Sequence, residues 1–344
     1  MRIYSIDFFK IIFTFLVVFA HMDINYPGSQ VAVDFFFVFS GYFMARKFYS
    51  KSYLKAEDGY DEFSYTKDRI KTLYPQYLFS LIVLFCYMFA KEVFRMATGS
   101  EMAGSVGDLV ARVYELVPNA LMLQDIGFFA SGINAAAWYV SVMVIAGYFI
   151  YALMCRDEKL YTGIVFPLIF MGIYTFNGLY GQEPFGVFGP FYMPMLRGVG
   201  AMLEGVIIYR FVCSSWYTKL KSNAVIFNLI GLGSLAALFA CQRYNNQQII
   251  MFLFAISYLS APETWLNKII KGKIFARSGD WAYAVYLNHA VVIMIMEDLF
   301  AKLGIIMPRE QFAWFAAAAS AVYSVATVML LDKIKAALKS KNIL

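Results

Sequence analysis

The chain has 344 residues, 61% of them apolar (AVILMFWYC) and only 15% charged, with 29 Lys and Arg against 23 Asp and Glu. So little charge excludes a soluble globule, where about 25% is usual. It also excludes disorder, which needs low hydrophobicity and high charge. The apolar residues fall in continuous runs rather than in the weak alternation of an outer-membrane barrel, so the expected fold is an all-α polytopic membrane protein.

A hydrocarbon core of ~30 Å takes ~20 residues of helix. In chain order the candidate spans are 6–24, 31–48, 72–94, 138–155, 160–177, 197–213, 224–241, 247–263, 281–300 and 313–331. The N-terminal MRIYSIDFFKIIFTFLVVFAH has a basic start and an apolar run but no small-x-small cleavage site, so it reads as a retained first span. No repeat, low-complexity stretch or long linker divides the chain. Residues 1–344 are therefore expected to form a single membrane-embedded domain, one bundle of about ten transmembrane helices, with no fused soluble domain. The cysteines Cys86, Cys155, Cys213 and Cys241 are scattered without paired spacing, so neither a disulfide framework nor a zinc site is indicated.

Orientation follows from Lys and Arg, which accumulate in cytoplasmic loops. With the N-terminus inside, 22 of the 29 cations fall on the inner side and 7 on the outer side. Ten spans with N- and C-termini cytoplasmic give this contrast, and the expected location is the cytoplasmic (inner) cell membrane. The net charge of +6 thus records topology and does not call for nucleic acid. The one long outer connection, roughly 95–137, contains VGDLVARVYELVPNALMLQ, whose apolar spacing predicts a helix lying in the membrane interface.

The charges inside apolar runs are few. Asp7, Lys10, Thr14 and His21 lie within ~60° of one another on the wheel of the first helix, forming one polar stripe. A snorkelling lysine and an interfacial histidine would give the same pattern, but intramembrane ionisable groups usually line a functional interior. Asp34 opens the second helix at a depth similar to His21. It is expected either to orient one imidazole nitrogen of His21, leaving the other as a base or nucleophile, or to sit as an acid favoured by the helix start. Ser40-Gly41 offers a small pair for close helix contact. Trp138 and Tyr139 open the fourth span, where an aromatic belt is the ordinary explanation. Glu204 is a mid-span acid that needs a partner or a proton, and Arg197, seven residues earlier, marks the outer mouth of its helix. His289, the only other histidine, lies mid-membrane with Tyr286 on the same face. These six, from Trp138 to His289, are read as acceptor-binding or structural. The first inner loop is the most basic region. Arg46 and Lys47, then Lys67, Arg69 and Lys71, suit either anionic lipid or the phosphates of a soluble cosubstrate. No Walker loop, dinucleotide glycine motif or metal-ligand cluster is present, so neither a metal nor a permanently bound cofactor is expected.

Together these fragments resemble the acyltransferase-3 family of integral membrane acyltransferases. Lys10 and His21 match its basic residue, ten-residue gap and histidine, with Lys where the family usually has Arg. VAVDFFFVFSGYFMARKF is similar to its acid, Phe-Phe and Ser-Gly-aromatic pattern through Asp34, Phe36, Phe37, Ser40 and Gly41. KDRIKTLYPQY resembles its Arg-x-x-Arg and Pro-x-Tyr through Arg69, Pro75 and Tyr77, with Thr72 at the second arginine and Lys71 beside it. VPNALMLQ, AWYVS, LRGVG and AYAVYLNH match more weakly, the last with Ala282 in place of serine. The resemblance implies transfer of an acyl group, commonly acetyl, from cytoplasmic acyl-CoA to a hydroxyl of an extracytoplasmic or lipid-linked carbohydrate or glycolipid. On that reading Lys10, Arg46, Arg69 and Lys71 hold the donor, and acetyl-CoA is a cosubstrate. His21, with Asp34, acts as base or acyl carrier. A flippase for a lipid-linked sugar, without acyl transfer, is the rival reading, since a polar stripe in a helix bundle also suits a translocation path.

Overall fold

The computed structural model describes residues 3–52, 60–100, 104–127, 132–180, 187–188, 191–241, 247–270, 275 and 277–340. Of the cations counted above, Arg2, Lys55, Arg243, Lys271, Lys273 and Lys341 lie outside them. Every one of the ten expected segments is helical. In chain order the helices are α1 (Tyr4–Ala20), α2 (Ala32–Lys47), α3 (Glu62–Ala97), α4 (Val106–Ala120), α5 (Trp138–Arg156) and α6 (Phe166–Tyr180). Then follow α7 (Met193–Val212), α8 (Ser215–Ser222), α9 (Ala224–Ala240), α10 (Gln248–Leu259), α11 (Ser278–Leu303) and α12 (Arg309–Ser340). A one-turn helix, Trp265–Ile269, follows α10, and two-residue strands Val187–Phe188 and Phe191–Tyr192 pair antiparallel before α7. Five helical stretches are long and apolar enough to cross a membrane, or six if the bent pair α8 and α9 counts as one. The protein is therefore a helical, multi-pass membrane protein.

Local chemistry sets the boundaries that hydropathy misses. α3 begins ten residues before its apolar run, because Asp61 Oδ1 accepts the Ser64 backbone N–H at 2.9 Å and starts the helix at a charged stretch. That bond holds the Asp61 carboxyl below its ordinary value. At 36 residues α3 is ~54 Å long, well over the ~30 Å of a hydrocarbon core. α10 stops at Leu259 rather than 263, ahead of Ala261-Pro262, since the residue before a proline is steered away from helical backbone.

The chain divides into two compact units, one of Met1–Ile70 with Val142–Gly279, the other of Lys71–Ser141 with Asp280–Leu344. The centre of the first unit is the contact of α2 with α7. A Cβ on Gly41 would lie 2.0 Å from the Met202 carbonyl oxygen, and one on Gly205 would lie 2.0 Å from that of Val38. Only glycine lets two helix backbones approach this closely. The expected Ser40-Gly41 contact is this one, and the Ser40 hydroxyl donates to Met143 Sδ at 3.2 Å. Phe13 stacks on Phe35 with centroids 4.1 Å apart and on Phe239 at 4.9 Å, packing α1 against α2 and α9.

The second unit is held by buried polar groups. The Ser80 hydroxyl and the Asn134 amide both donate to the Leu287 carbonyl, at 2.7 and 2.8 Å. Thr327 accepts from Gln76 at 3.3 Å and from Asn288 at 3.1 Å, joining α3, α11 and α12. α4, the helix expected in the long outer connection, is tied along its length to α3. Its start is tied where Glu92 accepts the Gly104 N–H. At its end Tyr77 donates to the Asn119 carbonyl and Tyr74 to that of Ala120, the latter at 3.1 Å. It therefore runs antiparallel alongside α3. Tyr74 thus supplies a donor to the Ala120 carbonyl, and Tyr77 adds one to that of Asn119, which also accepts the Met122 N–H at 3.0 Å. Apolar spacing identified the helix but carried no information about these partners.

Candidate functional site

His21 caps the C-terminus of α1 and is exposed. Its Nδ1 lies 2.9 Å from the Val17 carbonyl oxygen one turn earlier. A carbonyl can only accept, so we assign the hydrogen of the neutral ring to Nδ1 and the lone pair to Nε2. The ring is thus oriented by its own helix.

Asp34, in the first turn of α2, is fully buried. Both of its carboxylate oxygens are taken by Arg197 of α7. Nε donates to Oδ1 and Nη2 to Oδ2, each at 2.7 Å. The same Nη2 also donates to the Gln30 carbonyl at 3.0 Å. The expected orientation of His21 by Asp34 is corrected accordingly: the group set against Nδ1 is the Val17 carbonyl, and the acid serves a guanidinium. The reason is geometric. A planar guanidinium matches a carboxylate in bidentate fashion, which one imidazole nitrogen cannot do. The glycine-mediated approach of α7 to α2 brings Arg197 into place. Arg197, read from sequence as marking the mouth of its helix, sits near the start of α7 and ties it to α2.

Two turns further along α7, on the same face, Glu204 is buried. Tyr174 of α6 donates to its Oε2 at 2.8 Å, while Oε1 has no hydrogen-bond partner among the described residues. Tyr174 is thus the partner that Glu204 required.

The cations expected at the donor are spread over three helices. Lys10 Nζ lies 3.6 Å from Asp7 and 5.4 Å from the centroid of the Phe43 ring. Arg46 ends α2, exposed; Arg69 is half-buried, with Nη2 3.5 Å from Met143 Sδ; Lys71 is exposed on α3. Their sequence neighbours tie the end of α2 to the start of α3. Lys47 pairs with Asp68 at 2.8 Å, and Tyr60 donates to the same oxygen at 2.8 Å. Burial and the adjoining Asp68 carboxylate push the Tyr60 phenol far above its ordinary value, so it stays a donor.

In the second unit Trp138 and Tyr139 are buried, so they form part of a core rather than a belt at the membrane surface. Tyr139 meets Tyr286 edge-on with centroids 5.7 Å apart. The Tyr286 hydroxyl donates to the Ala136 carbonyl, and its ring lies 6.3 Å from that of His289. His289 is 0% exposed, with Nδ1 3.3 Å from the Val285 carbonyl. Tyr139, Tyr286 and His289 thus form one run of buried ring contacts, and Trp138 is buried beside Tyr139 in sequence.

Sequence reasoning missed Tyr174 and the group around Asp298. There Lys91 donates to Oδ1 at 2.6 Å, and Tyr87 to Oδ2 at 2.5 Å. Tyr87 and Lys91 are four residues apart on α3, the spacing that places two side chains on one helix face.

A family model described as an acyltransferase domain matches residues 3–333, a stretch running through both units. A search of curated proteins found no match, and neither did a search of solved structures.

Proposed function

Since the chain belongs to the acyltransferase-3 family, we propose that it transfers an acyl group from cytoplasmic acyl-CoA to a hydroxyl of an extracytoplasmic or lipid-linked carbohydrate. The acyl group is acetyl in the first instance. In this reading the ten helical segments cross the cytoplasmic membrane with both termini inside. The uneven distribution of Lys and Arg supports that orientation.

The observation that carries the reading is the exposed imidazole of His21 with Nδ1 committed to Val17. The opposite nitrogen is the basic one, and a substrate can reach the ring. As a base, Nε2 takes the proton of the sugar hydroxyl while its oxygen attacks the thioester carbonyl. The C–S bond breaks, and the coenzyme A thiolate takes the proton from the imidazolium. As a carrier, Nε2 attacks the thioester first, the C–S bond breaks and coenzyme A leaves as the thiolate; the sugar hydroxyl then displaces the imidazole from the acyl group, and its proton ends on that thiolate. Arg46, Arg69 and Lys71 hold the donor phosphates, and Lys10, Thr14 and His21 mark the path of the pantetheine arm.

Asp34 acts on this site through the backbone. Its pair with Arg197 fixes the start of α2, and with it the short connection to His21.

The test is purified protein in liposomes given labelled acetyl-CoA and glycan acceptors. The expected result is label on the glycan hydroxyl. Glycan crossing the bilayer unlabelled would replace the transferase by a transporter. A labelled imidazole trapped by rapid acid quench would select the carrier route over the base route.

A further inference from the structure

α8 and α9 meet at an angle of 104° across a single residue, Asn223. If α9 crosses the bilayer, α8 lies close to the membrane plane. Its sequence, SWYTKLKS, suits that position. Trp216 is 74% exposed, and the Lys219 ammonium sits 5.6 Å from the centroid of its ring. Tyr217 points inward, buried, and donates to the Ser257 carbonyl at 3.2 Å.

The short helix Trp265–Ile269 lies beside it, connected through the ion pair of Lys221 with Glu263. It adds a second exposed set: Trp265, Ile269 at 78%, and Lys268. A ring that is apolar on its face and polar at its edge belongs at the headgroup level of a bilayer. Lysines flanking such rings keep their charge among the headgroups.

Charge complementarity identifies the lipid. From residue 205 to 279 the sequence holds eight Lys and Arg, including Lys219, Lys221 and Lys268, and a single carboxylate, Glu263. That carboxylate is occupied by Lys221. The ammonium holds the Glu263 carboxyl below its ordinary value against the opposing effect of partial burial. Lys268 acts on the same carboxyl only through space, without a close ion pair, and neither it nor Lys219 pairs closely with a carboxylate among the described residues.

We propose that this elbow, formed by α8, the start of α9 and Trp265–Ile269, is a binding surface for anionic phospholipid headgroups. Trp216 and Trp265 set the depth, and Lys219 and Lys268 hold the phosphates. The proposal requires a membrane-spanning α9 and is independent of acyl transfer.

The full chain in nanodiscs tests it. Discs contain equal mole fractions of phosphatidylglycerol and phosphatidylcholine, with bromine on the acyl chains of one lipid or the other. The chain has five tryptophans, so the Trp216 signal is taken as the difference from Trp216→Phe. Brominated phosphatidylglycerol should quench that signal several-fold more than brominated phosphatidylcholine. The preference should fall about twofold for each of Lys219→Gln and Lys268→Gln, and disappear at 1 M salt. Lys219→Arg with Lys268→Arg should keep it, which separates charge from side-chain identity. Equal quenching by the two lipids, or no quenching by either, overturns the proposal. So does a preference that survives both Gln substitutions.

Discussion

His21 and His289, the two histidines of the chain, each set Nδ1 against the carbonyl four residues earlier in their own helix. The distances are 2.9 Å to Val17 and 3.3 Å to Val285. Their surroundings are opposite. His21 stands exposed at the end of α1, next to a short connection whose far side is clamped by Asp34 and Arg197. His289 is enclosed within α11, against Tyr286. The same bond to the helix's own carbonyl therefore occurs in two opposite settings. Exposure separates the two: the first unit ends a helix at His21, where the second continues one through His289.

The contrast breaks most readily at the ion pair. Asp34→Ala would leave the Arg197 guanidinium largely buried without its partner. The expected loss is about 3–5 kcal/mol of stability, read as a lowered unfolding midpoint in detergent. Removing both charges together, as Asp34→Leu with Arg197→Leu, should be less damaging than the single change. If Asp34→Asn abolished transfer while leaving stability unchanged, the acid would be serving His21 after all. A smaller loss, about 2–4 kcal/mol, is expected for His289→Ala, from the cavity it opens. Transfer per folded molecule should be retained. Loss of transfer with full stability would move the chemistry to the second unit. Smaller again is Gly41→Ala, where the new Cβ meets the Met202 carbonyl and must push α2 from α7. About 1–3 kcal/mol is expected, measured by the same unfolding midpoint. An unchanged midpoint would show that the two backbones are not in contact.

Much of the fold could be read from the sequence, because hydrophobic runs of helical length leave little choice in a bilayer. All ten segments are helices, and the small pair at Ser40-Gly41 does mark a close crossing. What was not legible depends on partners distant along the chain. Asp34 and Arg197 are 163 residues apart, and nothing local to either reveals the other. His21 lies nearer to Asp34 in sequence, and proximity alone points to it. Trp138 and Tyr139 have the composition of a membrane-surface belt, yet both are buried, Tyr139 against Tyr286 of α11. α4 was recognisable as a helix by its spacing. Its course along α3 depends on Tyr74, Tyr77 and Glu92, whose bonds to backbone leave no periodic trace. Glu204 could be singled out as an acid in need of a partner, but not Tyr174 as the residue that provides it.

The central claim is that the accessible imidazole at the end of α1 carries the acyl chemistry. It is tested most directly by labelled acetyl transfer from acetyl-CoA to glycan, in proteoliposomes holding equal amounts of folded wild type and His21→Ala. The account predicts a loss of about 10²–10⁴-fold or complete inactivity in the variant, with the unfolding midpoint unchanged. Transfer by His21→Ala at near the wild-type rate would contradict it.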